Sequence, residues 1–175
     1  GAFSDMYARE SFRIAYALLP ASYAGKKEAR LRLHLASAMA GVAISQGGLG
    51  VCHAISHSLG GLFQVPHGRL NAALLPAVLS CNANAALHRY GELARFAGMA
   101  GSTDAVAVRN LKNGLLGLRR QLDLPESLSQ AGIPPEKIRE NLPRIVEAVL
   151  EDPCIATNPV PVEEGLIRRI LEEAG

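Results

Sequence analysis

Apolar positions recur along this chain with the period of a helix. From Ser4, a residue type suited to the N-cap, the segment SDMYARESFRIAYALLPAS spaces Met6, Ala8, Phe12, Ile14, Ala15 and Leu18 in a near-helical pattern. Pro20 is expected to end that helix. After a Gly25-Lys26-Lys27 turn, EARLRLHLASAMAGVAISQ predicts a long second helix, with Ala36, Ala38, Ala40, Gly41 and Ala43 small enough for another helix to approach closely. Gly47 and Gly48 stop it. GLGVCHAISHSLGGLFQVPHGRLNAALLPAVLSCNAN reads as a short helix ending at Gly60-Gly61, a turn through Gln64 to Pro66, and a new helix beginning near His67. Four more amphipathic segments follow: AALHRYGELARFAGMAG, TDAVAVRNLKNGLLGLRRQLDL, PPEKIRENLPRIVEAVLED and VEEGLIRRILEEAG. The pattern predicts an all-α bundle of about seven to nine helices and no convincing strand.

Composition agrees. Ala and Leu far outnumber Val and Ile, residues that favour strands. With 175 residues and no internal repeat, low-complexity tract or linker, one helical domain spanning residues 1–175 is expected. The one Pro-rich stretch, DPCIATNPVP, is short enough to be a packed connection. The net charge is +2 with Lys and Arg scattered among Asp and Glu, which argues against nucleic acid as a partner. No segment approaches the roughly 18 consecutive apolar residues that would cross a bilayer, and no basic region followed by an apolar one opens the chain. No membrane association is expected. Cys52, Cys81 and Cys154 are odd in number and lack CxxC spacing, which fits reduced thiols in a cytoplasmic protein better than a disulfide framework.

The candidate chemistry lies in three histidines. His53 and His57 are spaced i, i+4, which puts their rings on one face of a helix one turn apart. His67 follows Pro66 at the start of the next helix, where the positive end of the dipole keeps an imidazole neutral and able to ligate a metal. A single histidine on an apolar helix is more often a hydrogen-bonded core residue, but three within fifteen positions, flanked by Gly and Pro, point to a metal. HExxH is missing, and no Asp or Glu lies between Gln46 and Gly91, so a hard-metal site would need oxygen from elsewhere.

Other features read as structural. Cys52 points about 100° around the helix from His53 and suits a core position. His34 and His88 have no partner signal. Arg119-Arg120 and Arg168-Arg169 read as solvated helix faces. Ser56 lacks a nucleophile-elbow motif, and Gly47-Gly48-Leu49-Gly50 resembles a helix-to-helix turn more than a dinucleotide cradle.

The run GVCHAISHSLGGLFQVPHGRLNAALLPAVLSCNA resembles the histidine signature of the iron-containing (group III) alcohol dehydrogenases: G-x-x-H-x-x-x-H-x-x-G, a short spacer, then P-H-G-x-x-N-A-x-x-L-P. The opening FSDMYARESF and the closing DPCIATNPVPVEEGLIRRIL are also similar to the family, with Val162 where a Thr or Ser often precedes the last helix. The resemblance implies the helical C-terminal domain of the dehydroquinate synthase-like type. It makes His53 and His67 the third and fourth metal ligands. His57 falls on the histidine beside the nicotinamide and substrate, catalytic and cofactor-contacting.

The family's first two ligands, an Asp and a His four positions apart, precede the segment that begins this chain, behind a Rossmann-like N-terminal cofactor domain. Both are expected to be missing from the 175 residues, which should be inactive alone. The implied cofactors are Fe²⁺, with Zn²⁺ open on the same nitrogen donors, and NAD(P). The implied reaction interconverts a short primary alcohol and its aldehyde. In it the metal lowers the pKa of the alcohol, hydride passes to NAD(P)⁺, and His57 relays the proton. A non-enzymatic helical metal-binding or assembly module, or a polyol dehydrogenase or maleylacetate-reductase-like relative, are the alternatives. Uncovered apolar neighbours of the histidines, Leu59, Leu62, Phe63 and Val65, lead to the expectation of a homo-oligomer.

Overall fold

The computed structural model describes residues 1–175 and contains eight α-helices and no strand. They are α1 (Ala2–Tyr23), α2 (Lys27–Gly47), α3 (Val51–Phe63), α4 (His67–Asn82), α5 (Leu87–Phe96), α6 (Asp104–Gln121), α7 (Pro135–Glu151) and α8 (Glu164–Ala174), with a 3₁₀ helix at Pro153–Thr157. The all-α expectation holds. No single helix is long and apolar enough to cross a membrane. The helices fall into two compact units, residues 1–48 with 87–122 and residues 49–86 with 123–175.

In the first unit α1 pairs with α2 through small residues. Ser4 and Ser11 on α1, and Ala29, Ala36 and Ala43 on α2, are buried at seven-residue spacing, the repeat of a left-handed helix pair. Pro20 does not end α1. A proline removes one donor, and the helix runs another turn, closed by Ala24 N–H to Pro20 O at 3.0 Å and Lys26 N–H to Ala21 O at 3.0 Å. Gly25 then turns the chain with φ +85°. In the same unit α5 and α6 pack closely at Gly91, where a Cβ would lie 3.1 Å from the Cα of Asp104. Arg119 of α6 is only 9% exposed, so it is not on the solvated face its position in the helix pattern predicts. Its long stem packs inward.

The second unit carries a continuous apolar core in which Val51, Ile55 and Leu59 of α3 meet Leu70 and Leu74 of α4, Ile145 and Val149 of α7, and Ile167 and Ile170 of α8. α3 does not stop at Gly60-Gly61. It continues to Phe63 and ends on Gln64, left-handed at φ 56°, whose N–H reaches Gly60 O at 2.9 Å. Glycine weakens a helix by only about 1 kcal/mol, too little to stop one whose later residues pack on the core. Leu59 is fully buried, and Leu62, Phe63 and Val65 are partly buried against the core, so the apolar face expected beside the histidines is largely covered within this unit. Large exposed apolar side chains instead stand on α1 and α2, among them Phe3, Met6, Tyr23, Leu31 and Leu35.

Candidate functional site

The first turn of α3 is fixed from the far end of the chain. The Val51 N–H, one of the donors a helix start leaves unsatisfied, is accepted by Asn158 Oδ1 at 3.3 Å. Asn158 exchanges further hydrogen bonds with Asn82 of α4 at 3.0 and 3.1 Å and donates to Val160 O at 2.8 Å. Thr157 donates to the Leu49 carbonyl. The connection DPCIATNPVP is therefore the strap that seats the helix carrying His53 and His57.

All three histidines converge. Ring centroids are 6.2 Å apart for His53 and His57, 5.2 Å for His53 and His67, and 5.1 Å for the stacked His57 and His67. The α3–α4 turn places His67, the first residue of its helix, opposite the i, i+4 pair. Burial pushes the His53 pKa down, the neighbouring His67 and His57 rings push it further, and Asp152 opposes them only in part. A neutral His53 ring can offer a lone pair to a cation.

His67 is oriented by Asn71. Ser56 donates to Asn71 Oδ1 at 2.7 Å and the Cys52 thiol reaches the same oxygen at 3.5 Å, which leaves the amide nitrogen to face His67 Nε2 at 2.9 Å. That nitrogen of His67 is consequently an acceptor, and the ring carries its proton on Nδ1. Cys52 and Ser56 thus position Asn71, in keeping with their structural reading. Burial pushes the Cys52 thiol up to about 12.

An acidic group that the histidine segment itself lacks reaches the cluster from Asp152. Its Oδ2 lies 2.8 Å from His57 Nδ1, across a separation of 95 residues. Its Oδ1 accepts the Cys154 N–H at 2.8 Å and so caps the 3₁₀ helix. Burial alone would raise this carboxyl, but hydrogen bonds from His57 and from the backbone and thiol of Cys154 hold it below the usual carboxylate range. Sequence reasoning missed Asp152. Its one local signal is the Asp-Pro step that opens a turn after α7.

Cys154 is raised to about 11, by burial first and Asp152 second, and stays a thiol. Ligand atoms of His57, Asp152 and Cys154 lie within 4.8 Å of one another, a second donor group beside the three imidazoles. His34 is exposed and far in sequence from this cluster, and His88 pairs with Asp104 at 3.0 Å in the other unit.

Residues 2–175 match the C-terminal domain of the Fe-containing alcohol dehydrogenase family. The chain belongs to that family. It is 33% identical over 97% of its length to the NADPH-dependent butanol dehydrogenase of Clostridium saccharobutylicum, covering 44% of that protein. To the 1-propanol dehydrogenase of Salmonella typhimurium it is 35% identical over 98% of its length, covering 48%. Its fold superposes on a 1,3-propanediol oxidoreductase with a TM-score of 0.93 at 28% identity, over 100% of this chain and 46% of that one. For the iron-containing alcohol dehydrogenase of Thermococcus thioreducens the TM-score is 0.87 at 33% identity, over 99% and 44%. The chain spans about half the length of these relatives.

Proposed function

We propose that this chain is the metal-holding helical domain of an NAD(P)-linked alcohol dehydrogenase, interconverting a short primary alcohol and its aldehyde in the cytoplasm. The observation that carries the reading is the convergence of three imidazoles, one kept neutral by burial and one oriented by an amide, beside a fourth group, Asp152, that supplies negative charge. The donor set fits a divalent metal: nitrogen ligands that are uncharged and free of thiolate suit Fe²⁺ and Zn²⁺ alike. His53 and His67 would hold it, with the family's other two ligands on the helix before this segment and the dinucleotide cradle in its N-terminal domain.

Bound metal would supply Lewis-acid polarisation of the alcohol oxygen, and bound NAD(P)⁺ would accept the hydride. The rest falls to this chain's side chains. The alcohol releases a proton from oxygen as hydride leaves carbon, and His57, exposed at 46% of its side chain, accepts that proton and returns it to water. The Asn71 amide occupies His67 Nε2, so His67 would exchange that hydrogen bond for the metal on ligation. The relatives' substrates, butanol, 1-propanol and 1,3-propanediol by their names, support a short alcohol. Association into a homo-oligomer belongs to the same proposal, supported not by the face beside the histidines, which is largely covered, but by the exposed apolar side chains of α1 and α2.

In the full-length protein, His53→Ala and His67→Ala should each abolish retention of bound metal, measured by elemental analysis after gel filtration. His57→Ala should keep the metal but slow turnover or shift its pH profile. Full metal occupancy in either of the first two variants refutes the ligand assignment. The 175-residue chain alone should show no NAD(P)-linked oxidation of butanol, and turnover by it would refute the division of labour between domains.

A further inference from the structure

We propose that Asp152 is the positioning residue of this site, fixing His57 as the tautomer protonated on Nδ1 and leaving Nε2 as the ring's free lone pair. Its role in turnover rests on the function proposed above; the tautomer does not.

The geometry is that of a carboxylate held from one side and used from the other. Oδ1 is committed to the Cys154 N–H at 2.8 Å, and Oδ2 is left to His57 Nδ1 at 2.8 Å. An ionised carboxylate has no hydrogen to give, so the hydrogen in the His57 contact belongs to the imidazole. The Asp152 side chain is only 13% exposed, and its backbone N–H is tied to Val149 O at 3.2 Å at the end of α7. Val149 itself is fully buried. The carboxylate is thus mounted on the packed end of a core helix and cannot follow a wandering ring. The groups facing His57 are the His53 and His67 rings, Asp152 and the thiol of Cys154. Among them Asp152 is the one anion, since Cys154 remains a thiol. Such a pair holds an imidazole in one orientation and stabilises the imidazolium formed when Nε2 takes a proton.

Asn at position 152 would keep the shape and change the hydrogen bonding. Its single oxygen is needed for the Cys154 N–H, which turns the amide NH₂ toward His57 and demands a lone pair at Nδ1. The ring would then carry its proton on Nε2, where it cannot accept one.

Long-range ¹H–¹⁵N correlation of histidine-labelled, metal-free protein, at a pH where the imidazoles are neutral, reads the tautomer directly. Wild type should show His57 protonated on Nδ1 and Asp152→Asn should show it protonated on Nε2, with Asp152→Glu restoring the wild-type form. An Nε2-protonated ring in wild type, or the same tautomer in wild type and Asp152→Asn, overturns the proposal, and the wild-type measurement stands even if the variants fail to fold. In the full-length enzyme, Asp152→Asn should lower kcat by about 10²–10⁴-fold, the range of a lost general base, with KM and metal content unchanged. A tautomer switch without loss of kcat would leave the positioning in place and refute His57 as proton relay. Loss of metal from Asp152→Asn would refute the role in turnover, because it would place Asp152 or His57 among the groups that hold the metal.

Discussion

The two compact units use opposite means to hold their helices together. In the first, contacts between helices include ion pairs on exposed or half-exposed side chains: Arg9 with Glu92 at 2.9 Å, Arg89 with Asp5 at 2.6 Å, and Asp104 with both Arg95 and His88. In the second, the pairs Lys137–Glu140, Arg139–Glu136 and Arg168–Glu164 stay within one helix, and the links between elements run through neutral amides, Asn158 to Asn82 and Asn71 to Ser56. The difference follows from burial. A charge in a dry interior costs several kcal/mol, whereas an amide with its hydrogen bonds filled costs little. One carboxylate that the second unit admits between elements, Asp152, stands against a site histidine. A largely buried charge where neutral groups otherwise serve singles out this cluster as the candidate site.

The largest effect should come from the amide network. Asn158→Ala removes the acceptor of the Val51 N–H and the partner of Asn82, groups on residues 0% and 2% exposed. Each buried polar group left unsatisfied costs about 1–3 kcal/mol, so the loss of stability should reach at least that range. Urea unfolding measures it, and a change below about 0.5 kcal/mol, the size of an ordinary surface substitution, would show that the amides are not what holds the second unit's strap.

That strap also marks where the sequence stops being readable. Helical periodicity is a local signal, and it located every α-helix; the errors fell where one residue type was given a fixed meaning. Pro20 and Gly60-Gly61 look like stops, yet each lies inside a helix whose later residues are held by packing and by the closing turn. The histidine cluster was legible because its members lie within fifteen positions and two of them share a helical face. Asp152 was not, because nothing local distinguishes one Asp-Pro step from another, and its partner is 95 residues away. Arg119 was misread for a related reason: a helix pattern gives which residues share a face, but not what covers that face.

A smaller effect is expected where the first unit depends on close backbone approach instead of polar bonds. A Cβ at Gly101 would sit 2.6 Å from the Cα and Cβ of Ala107 and 2.7 Å from its nitrogen, so backbone has to move. Gly101→Ala should cost about 1–3 kcal/mol by overpacking. Gly117, in α6 of the same unit, has nothing within 4 Å of the added atom, and Gly117→Ala should stabilise by up to about 1 kcal/mol through helix propensity. Thermal melts of the two variants should shift in opposite directions. Equal shifts would mean that packing at Gly101 does not limit the unit.

The smallest effect tests the ion pairs themselves. The hydrogen bond from Arg95, and after it that from His88, holds the Asp104 carboxyl below its ordinary range. The folded state therefore binds this proton more weakly than the unfolded chain does. The stabilisation is fully present above the unfolded carboxylate pKa, about 3.9, and is lost as pH falls through the lowered folded value. At neutral pH Asp104→Asn should be slightly less stable than wild type, and the difference should shrink when salt is added, since exposed pairs are screened within about 10 Å at 0.1 M. Below about pH 4 the two curves should converge as wild-type Asp104 takes up its proton. Melting temperatures across pH 2.5–7 at low and high salt give both tests at once. A penalty that persists in high salt and at low pH would mean that Asp104 acts through hydrogen bonds that an amide cannot reproduce and not through its charge, so that the first unit, like the second, is linked by hydrogen-bond geometry.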